Sequence, residues 1–158
     1  VALDAACEIL DTGGKIRTVP IAEFFTGVKT SVLKKNEILR SVLVPHRKTT
    51  DRIVSGFIKI GNRNSMEIAL VSFAYYILAD SNGDVTSSGA AIGSVAETIK
   101  STESACEFLM GKNIEHLTKT DKGKFADLVL EYASPISDIR ASAWYRRQVL
   151  WNISRSIF

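Results

Sequence analysis

The chain has 158 residues, room for one domain or for one domain with part of another. Hydrophobic residues make up 46% and charged residues 23%, the balance of an ordinary globular protein. A net charge of +3, with the basic residues spread along the chain, makes no electrostatic case for nucleic acid, and no run of about 18 apolar residues is present to span a membrane.

The first residues, "VALDAACEIL", lack the basic start and small-residue cleavage site of a signal peptide. They also lack an initiator Met, so a chain cut from something longer is expected. Next, "CEILDTGGKIRTVPIAEFF" reads as a hairpin, with two short runs flanking the turn cluster Asp11-Thr12-Gly13-Gly14. Residues 37–45 read as a strand ended by Pro45. The polar stretch 46–52 is the candidate boundary between two units, residues 1–49 and 50–158.

Beyond it the pattern changes. Residues 53–60 read as a strand. Residues 68–79 are apolar on both alternating faces and rich in aromatic and β-branched residues, which predicts a central strand. "DSNGD" (80–84) is a hairpin turn with Asn82-Gly83 at its tip. Residues 85–96 return as a strand of small residues, which lets another layer approach closely.

The last third is helical. Residues 101–112 stop at Gly111, and residues 120–133 place Phe125, Leu128, Val129 and Tyr132 on one face. Residues 134–158 read as one closing helix, capped by Ser137 or Asp138. Strands first and helices after predict α+β: a small antiparallel β-sheet packed against a three-helix layer.

With Ile139 as origin and ~100° per residue, Ala143, Leu150, Ile153 and Ile157 form a core stripe on the closing helix. Trp144, Trp151 and Phe158 form a second stripe, so the helix is expected to pack on two sides. Arg155 falls beyond them, toward solvent. Arg146 falls inside the core stripe, where a guanidinium needs a carboxylate or several carbonyl oxygens. Arg140 and Arg147 share the tryptophan side, where stacking on indole or snorkelling along a half-exposed face both fit.

Metal and nucleophile chemistry find little support. Two cysteines, Cys7 and Cys106, and two histidines, His46 and His116, show no CxxC or HxxxH spacing. Cys106 beside Ala105 and Leu109 reads as a buried structural thiol, and few unpaired cysteines suit a reducing cytoplasm. No serine lies in a nucleophile elbow.

Five stretches then occur in series: "TVPIAEFFTG", "NEILRSVLVP", "FIKIGNRNSMEIALVSFAYY", "GSVAETIKSTESACEFLMGK" and "SPISDIRASAWYRRQVL". Together they resemble the C-terminal part of the FAD-binding (medium) subunit of molybdenum hydroxylases, the xanthine dehydrogenase and carbon monoxide dehydrogenase family. The resemblance covers essentially the whole chain. It implies a subunit that takes electrons from 2Fe–2S clusters through FAD to an acceptor, often NAD, while molybdopterin sits on a partner subunit. It implies as partners the molybdenum-cofactor subunit, the 2Fe–2S subunit and the N-terminal FAD-binding half of its own subunit. Residues 1–49 then correspond to the tail of that flavin domain, and 50–158 to the C-terminal domain.

The family's glycine-rich phosphate loops have no counterpart here, so the chain alone is expected to hold FAD weakly or not at all. By position, Leu39 matches an apolar residue beside the isoalloxazine ring, and Lys59 a lysine near the ring's polar edge. On pattern alone, Leu39 is equally a strand-core residue and Lys59 a solvent-facing one. The loop 61–67 matches one that borders the flavin, with Arg63 and Glu67 as candidates for tuning acceptor access. Asp138, Arg140, Tyr145 and Arg146 are the structural or interface candidates. A docking scaffold without direct chemistry, or a separate α+β ligand-binding module, remains open on the residues alone.

Overall fold

The computed structural model describes residues 1–46, 52–63 and 67–158. The expected boundary at 46–52 therefore lies mostly outside the described residues. The chain forms α+β architecture with antiparallel sheets. The first unit holds β1 (Ala6–Asp11), β2 (Ile16–Pro20), the single turn α1 (Ile21–Phe24), β3 (Phe25–Gly27), β4 (Thr30–Ser31) and β5 (Glu37–Leu43). Its main sheet runs β2-β1-β5, and β3 pairs with β4 as a separate ribbon. The β1–β2 turn closes because Asp11 Oδ1 accepts from the Gly13 and Lys15 N–H groups at 2.8 and 2.9 Å, while Gly14 takes a φ of +81°. Cys7, Ile9 and Phe24 form its small core.

The second unit is a four-stranded sheet in the order β6-β7-β8-β9: β6 (Arg52–Ile60), β7 (Val71–Ala79), β8 (Val85–Gly93) and β9 (Lys100–Ser101). The strand expected to be central, β7, lies between β6 and β8. Asp80 Oδ1 accepts from the Asn82 and Asp84 N–H groups to shape the β7–β8 turn. On one face Val71, Phe73, Ile77 and Ile92 meet Leu109 of α2 (Glu103–Leu109), Phe125 and Val129 of α3 (Lys119–Glu131), and Leu150 of α4 (Ala143–Arg155). Phe125 stands edge-on to both Phe73 and Phe158. Thr118 and Asp121 form a capping box that starts α3.

The opposite face of this sheet carries small residues. Register places Ser72 beside Gly93, Ala74 beside Ala91, and Tyr76 beside Gly89. The N-terminal segment lies directly on it: a Cβ built on Gly89 would stand 2.2 Å from the Ala2 carbonyl oxygen. The close approach expected of the small-residue strand is thus real, and its occupant is the start of the chain.

The closing segment corrects the one-helix expectation. Residues 134–142 are not helical, and α4 starts at Ala143 with Ser142 as its N-cap, whose Oγ accepts from the Tyr145 N–H at 3.2 Å. The cause is Asp138. Its Oδ1 accepts from the Arg140 and Ala141 N–H groups at 2.9 and 3.1 Å, folding a turn that a helix cannot pass through. Ser137 Oγ reaches forward to the Ala143 N–H instead of capping at its own position. Ile139, taken as the wheel's origin, is 100% exposed because it lies outside the helix. Trp144 is 70% exposed, and Trp151 and Phe158 are half-buried, so the second stripe packs only toward its end. The indole contact is also made by a different arginine: Arg155, expected toward solvent, lies 5.1 Å from the Trp151 ring. Arg147 donates to the Ala133 carbonyl. No helix among the described residues is long and apolar enough to cross a membrane.

Candidate functional site

Where the two units meet they leave a crevice. Phe24 and Phe25 are adjacent at the α1–β3 junction, so alternation can bury only one of them. Phe24 is 5% exposed in the small core, and Phe25 is 45% exposed toward the second unit. A cavity of about 570 Å³ opens there, walled by Phe25, Gly27 and Lys29 on one side and by Ala96, Glu97 and Ile99 on the other. A smaller hollow of about 170 Å³ adjoins it, sharing Phe25 and Ile99, and its floor is Ser72, Ala74, Ala91 and Gly93 of the small-residue face.

Glycines set this shape. A Cβ on Gly27 would stand 3.0 Å from Glu97 Oε1 and 3.1 Å from Thr30 Oγ1, so the missing side chain lets the Glu97 carboxylate close across the crevice. A Cβ on Gly93 would stand 2.5 Å from Ser72 Oγ. Ser94 follows with a φ of +64°, a left-handed turn that takes the chain out of β8 and into the crevice wall. An apolar slot with one aromatic wall and a few polar groups at its rim suits a planar ring with a polar edge.

Lys59 lies on the same sheet face as the floor. It is in register with Ser72, which is in register with Gly93, and its side chain is exposed. It stands one position from the floor without lining it. Leu39 does not line the crevice either. It sits on the edge strand β5, opposite Ile9, and is exposed. Past the end of β6, the Arg63 N–H donates to Glu67 Oε2, and that carboxylate packs against Gly61. Residues 64–66 between them lie outside the described residues.

Asp138, Arg140 and Arg146 form one cluster on the far side of the sheet. Arg146 is 5% exposed. Its Nη1 donates to the Leu70 carbonyl at 2.6 Å and the Ser94 carbonyl at 3.1 Å, and its Nη2 donates to Asp138 Oδ1 at 2.9 Å. Arg140 Nη1 donates to Asp138 Oδ2 at 3.1 Å. Backbone N–H donors from Arg140 and Ala141, then the Arg146 guanidinium, hold the Asp138 carboxyl down to about 2. Tyr145 is exposed on the first turn of α4. Cys106 is half-buried, and burial pushes its thiol pKa up, the opposite of what a reactive nucleophile needs.

The sequence reading did not single out Phe25, Gly27, Ser94, Glu97 or Ile99. The paired phenylalanines were the one available signal, since neighbouring aromatics cannot both enter one core.

Comparison with known proteins fits this arrangement. Residues 57–158 match the family described as the CO dehydrogenase flavoprotein C-terminal domain. Xanthine dehydrogenase of Oryza sativa subsp. japonica is 33% identical over 140 residues, covering 85% of this chain and 10% of that protein. Among solved structures, carbon monoxide dehydrogenase from Hydrogenophaga pseudoflava superposes with a TM-score of 0.86 at 26% identity. Quinoline 2-oxidoreductase from Pseudomonas putida 86 does so with 0.83 at 25% identity. Each match covers 98% of this chain and 51% of the solved chain. The chain therefore spans about half the length of those solved chains and about a tenth of the xanthine dehydrogenase. With 57–158 matched, the chain belongs to the xanthine dehydrogenase and carbon monoxide dehydrogenase flavoprotein family and carries its C-terminal domain.

Proposed function

We propose that this chain is the C-terminal portion of the FAD subunit of a molybdenum hydroxylase, and that it borders the flavin where electrons leave for an acceptor such as NAD. In this reading residues 1–49 are the end of the flavin-binding domain and 50–158 belong to the C-terminal domain. Partner subunits carry molybdopterin and the 2Fe–2S clusters. Bound FAD supplies the redox step that joins one-electron carriers to a two-electron acceptor.

The residues present fit the ring end of FAD and not its pyrophosphate. An apolar slot beside Phe25 and Ile99 and an exposed cation on the adjoining sheet face suit a flat heterocycle. A phosphate cradle has no support among the described residues. The positive-φ glycines Gly14 and Gly83 shape hairpin turns, and Gly111 follows α2. Gly89 and Gly93 are covered by Ala2 and by the Ser72 side chain.

The observation that carries the proposal is Lys59, an exposed amine on the face that floors the crevice. A cation at the ring's edge stabilises negative charge on the reduced ring and raises its potential. Arg63 and Glu67, tied to each other at the same end of the sheet, would tune acceptor access, and Leu39 would bring apolar surface from the first unit. Lys59→Ala in the intact subunit should lower the flavin midpoint potential and change acceptor reduction. An unchanged potential with unchanged acceptor kinetics would sink the role.

A second reading, docking without chemistry, is favoured by one feature: Ile136, Ile139 and Trp144 expose apolar side chains around the Asp138 turn. If Lys59→Ala is silent while Arg146→Ala blocks assembly, that reading stands instead.

A further inference from the structure

We infer that Arg146 is a positioning residue for the crevice, acting through two backbone carbonyls and touching no ligand itself. This deepens the reading of Lys59 as a flavin-edge cation and rests on it. Lys59, Ser72 and Gly93 form the rung at one end of the sheet, where β6, β7 and β8 are still in register. Arg146 Nη1 donates to the carbonyls that flank this rung, Leu70 just before β7 and Ser94 just after β8. The Leu70 N–H in turn donates to the Ile60 carbonyl at 2.8 Å, one residue from Lys59. On the other side Ser94 leads into Val95, whose carbonyl accepts from the Ser134 N–H at 2.8 Å, and then into the wall residues Ala96, Glu97 and Ile99.

A single guanidinium nitrogen therefore ties the Lys59 end of the sheet to the start of the crevice wall. The fork cannot swing, because Nη2 is held by Asp138, and Asp138 is held by two backbone N–H groups. Water cannot readily take over, because the guanidinium is buried. A lysine keeps the charge but not the planar fork, so it cannot hold both carbonyls and the carboxylate in one geometry. Ser94 makes the tie consequential: a non-glycine residue in the left-handed region keeps its conformation only while its surroundings hold it. Lys59 and the 95–99 wall are thus one mechanical unit whose spacing is set from beneath the sheet by α4.

The test uses the complete flavoprotein assembled with its molybdenum and iron–sulfur partners. Arg146→Lys should shift the flavin midpoint potential in the same direction as Lys59→Ala. In the Lys59→Ala background the same change should produce about a third or less of its single effect, because one acts through the other. Amide hydrogen exchange in Arg146→Lys should quicken about tenfold or more at both Leu70 and Ser134, whose N–H groups donate to the Ile60 and Val95 carbonyls, with β1 and β2 unaffected. An additive double variant, an unshifted potential, or faster exchange at only one of these two amides overturns the inference. If Arg146→Lys does not assemble, exchange in the unsubstituted protein decides: the Leu70 and Ser134 amides must open together, and separate openings overturn the coupling. If Lys59→Ala alone leaves the potential unchanged, the Lys59 role fails, and the exchange pattern still tests the tie.

Discussion

The two faces of the β6-β7-β8-β9 sheet use the same strands for opposite ends. Toward the helices, Val71, Phe73, Ile77 and Ile92 are large and fully buried. Toward the first unit, Ser72, Ala74, Ala91 and Gly93 stay small, and the surface they make is approached by backbone and hollowed by the crevice. Alternation along one strand lets each face be built separately: bulk where stability is needed, small side chains where another layer or a flat ligand must come close. The core face tolerates removal of atoms badly, and the crevice face should tolerate their addition badly.

That contrast can be broken by substitution. The largest effect is expected on the helix face, where Phe73→Ala should cost about 3–5 kcal/mol in denaturant unfolding, since the cavity is ringed by Phe125 and its neighbours. Next comes Gly89→Ala. Its methyl would stand 2.2 Å from the Ala2 carbonyl and 2.3 Å from the Tyr76 ring, a clash with backbone that should cost about 1–3 kcal/mol. It should also free residues 1–5 to amide exchange, which Phe73→Ala should not do below its unfolding midpoint. If the two variants expose the same amides, the faces are not independent.

Acid should act on carboxylates in both units, Asp138 and Asp121 in the second and Glu37 in the first. The carboxyl pKa values of Asp138, Glu37 and Asp121 are each held down to about 2, so each group binds fewer protons folded than unfolded. Their contribution is fully present above about pH 5 and is lost as pH falls toward 2. For Asp138 the backbone N–H donors lead; for Glu37 the Arg17 guanidinium does; for Asp121 the Thr118 hydroxyl does. Asp138→Asn should flatten the fall in stability over that window, and an unchanged acid titration would mean the turn is held without its charge. The smallest effect on stability belongs to Lys59→Ala, within about 0.5 kcal/mol, because the side chain is exposed. A larger loss would mean that the lysine supports the fold.

What the sequence disclosed follows the range of each interaction. The hairpin turns at Asp11 and Asp80 were legible because a carboxylate, two nearby N–H groups and a glycine are all local. The central place of β7 was legible because both of its faces are apolar. Arg146 could be assigned to the core stripe from its angle on the helix, although Ile139 was the wrong origin. The start of α4 was misread because Asp138 has two plausible uses, as a helix cap or as a turn acceptor, and Arg146, eight residues on, joins the local N–H donors in favouring the second. The crevice was not legible. Its walls, Phe25 to Lys29 and Ala96 to Ile99, are about seventy residues apart in sequence, and nothing in either stretch names the other.

The seat of the first residues has a practical consequence. Val1 and Ala2 line the smaller hollow beside Phe25 and Phe57, so a fluorophore carried on a cysteine substituted at Val1 emerges over the floor of the candidate site. Such a label would sense whatever enters the crevice and would compete with it. Phe158 is edge-on to Phe125, so a label there would read the helical core. Val1 and Phe158 are therefore natural reporters for the two faces of one sheet.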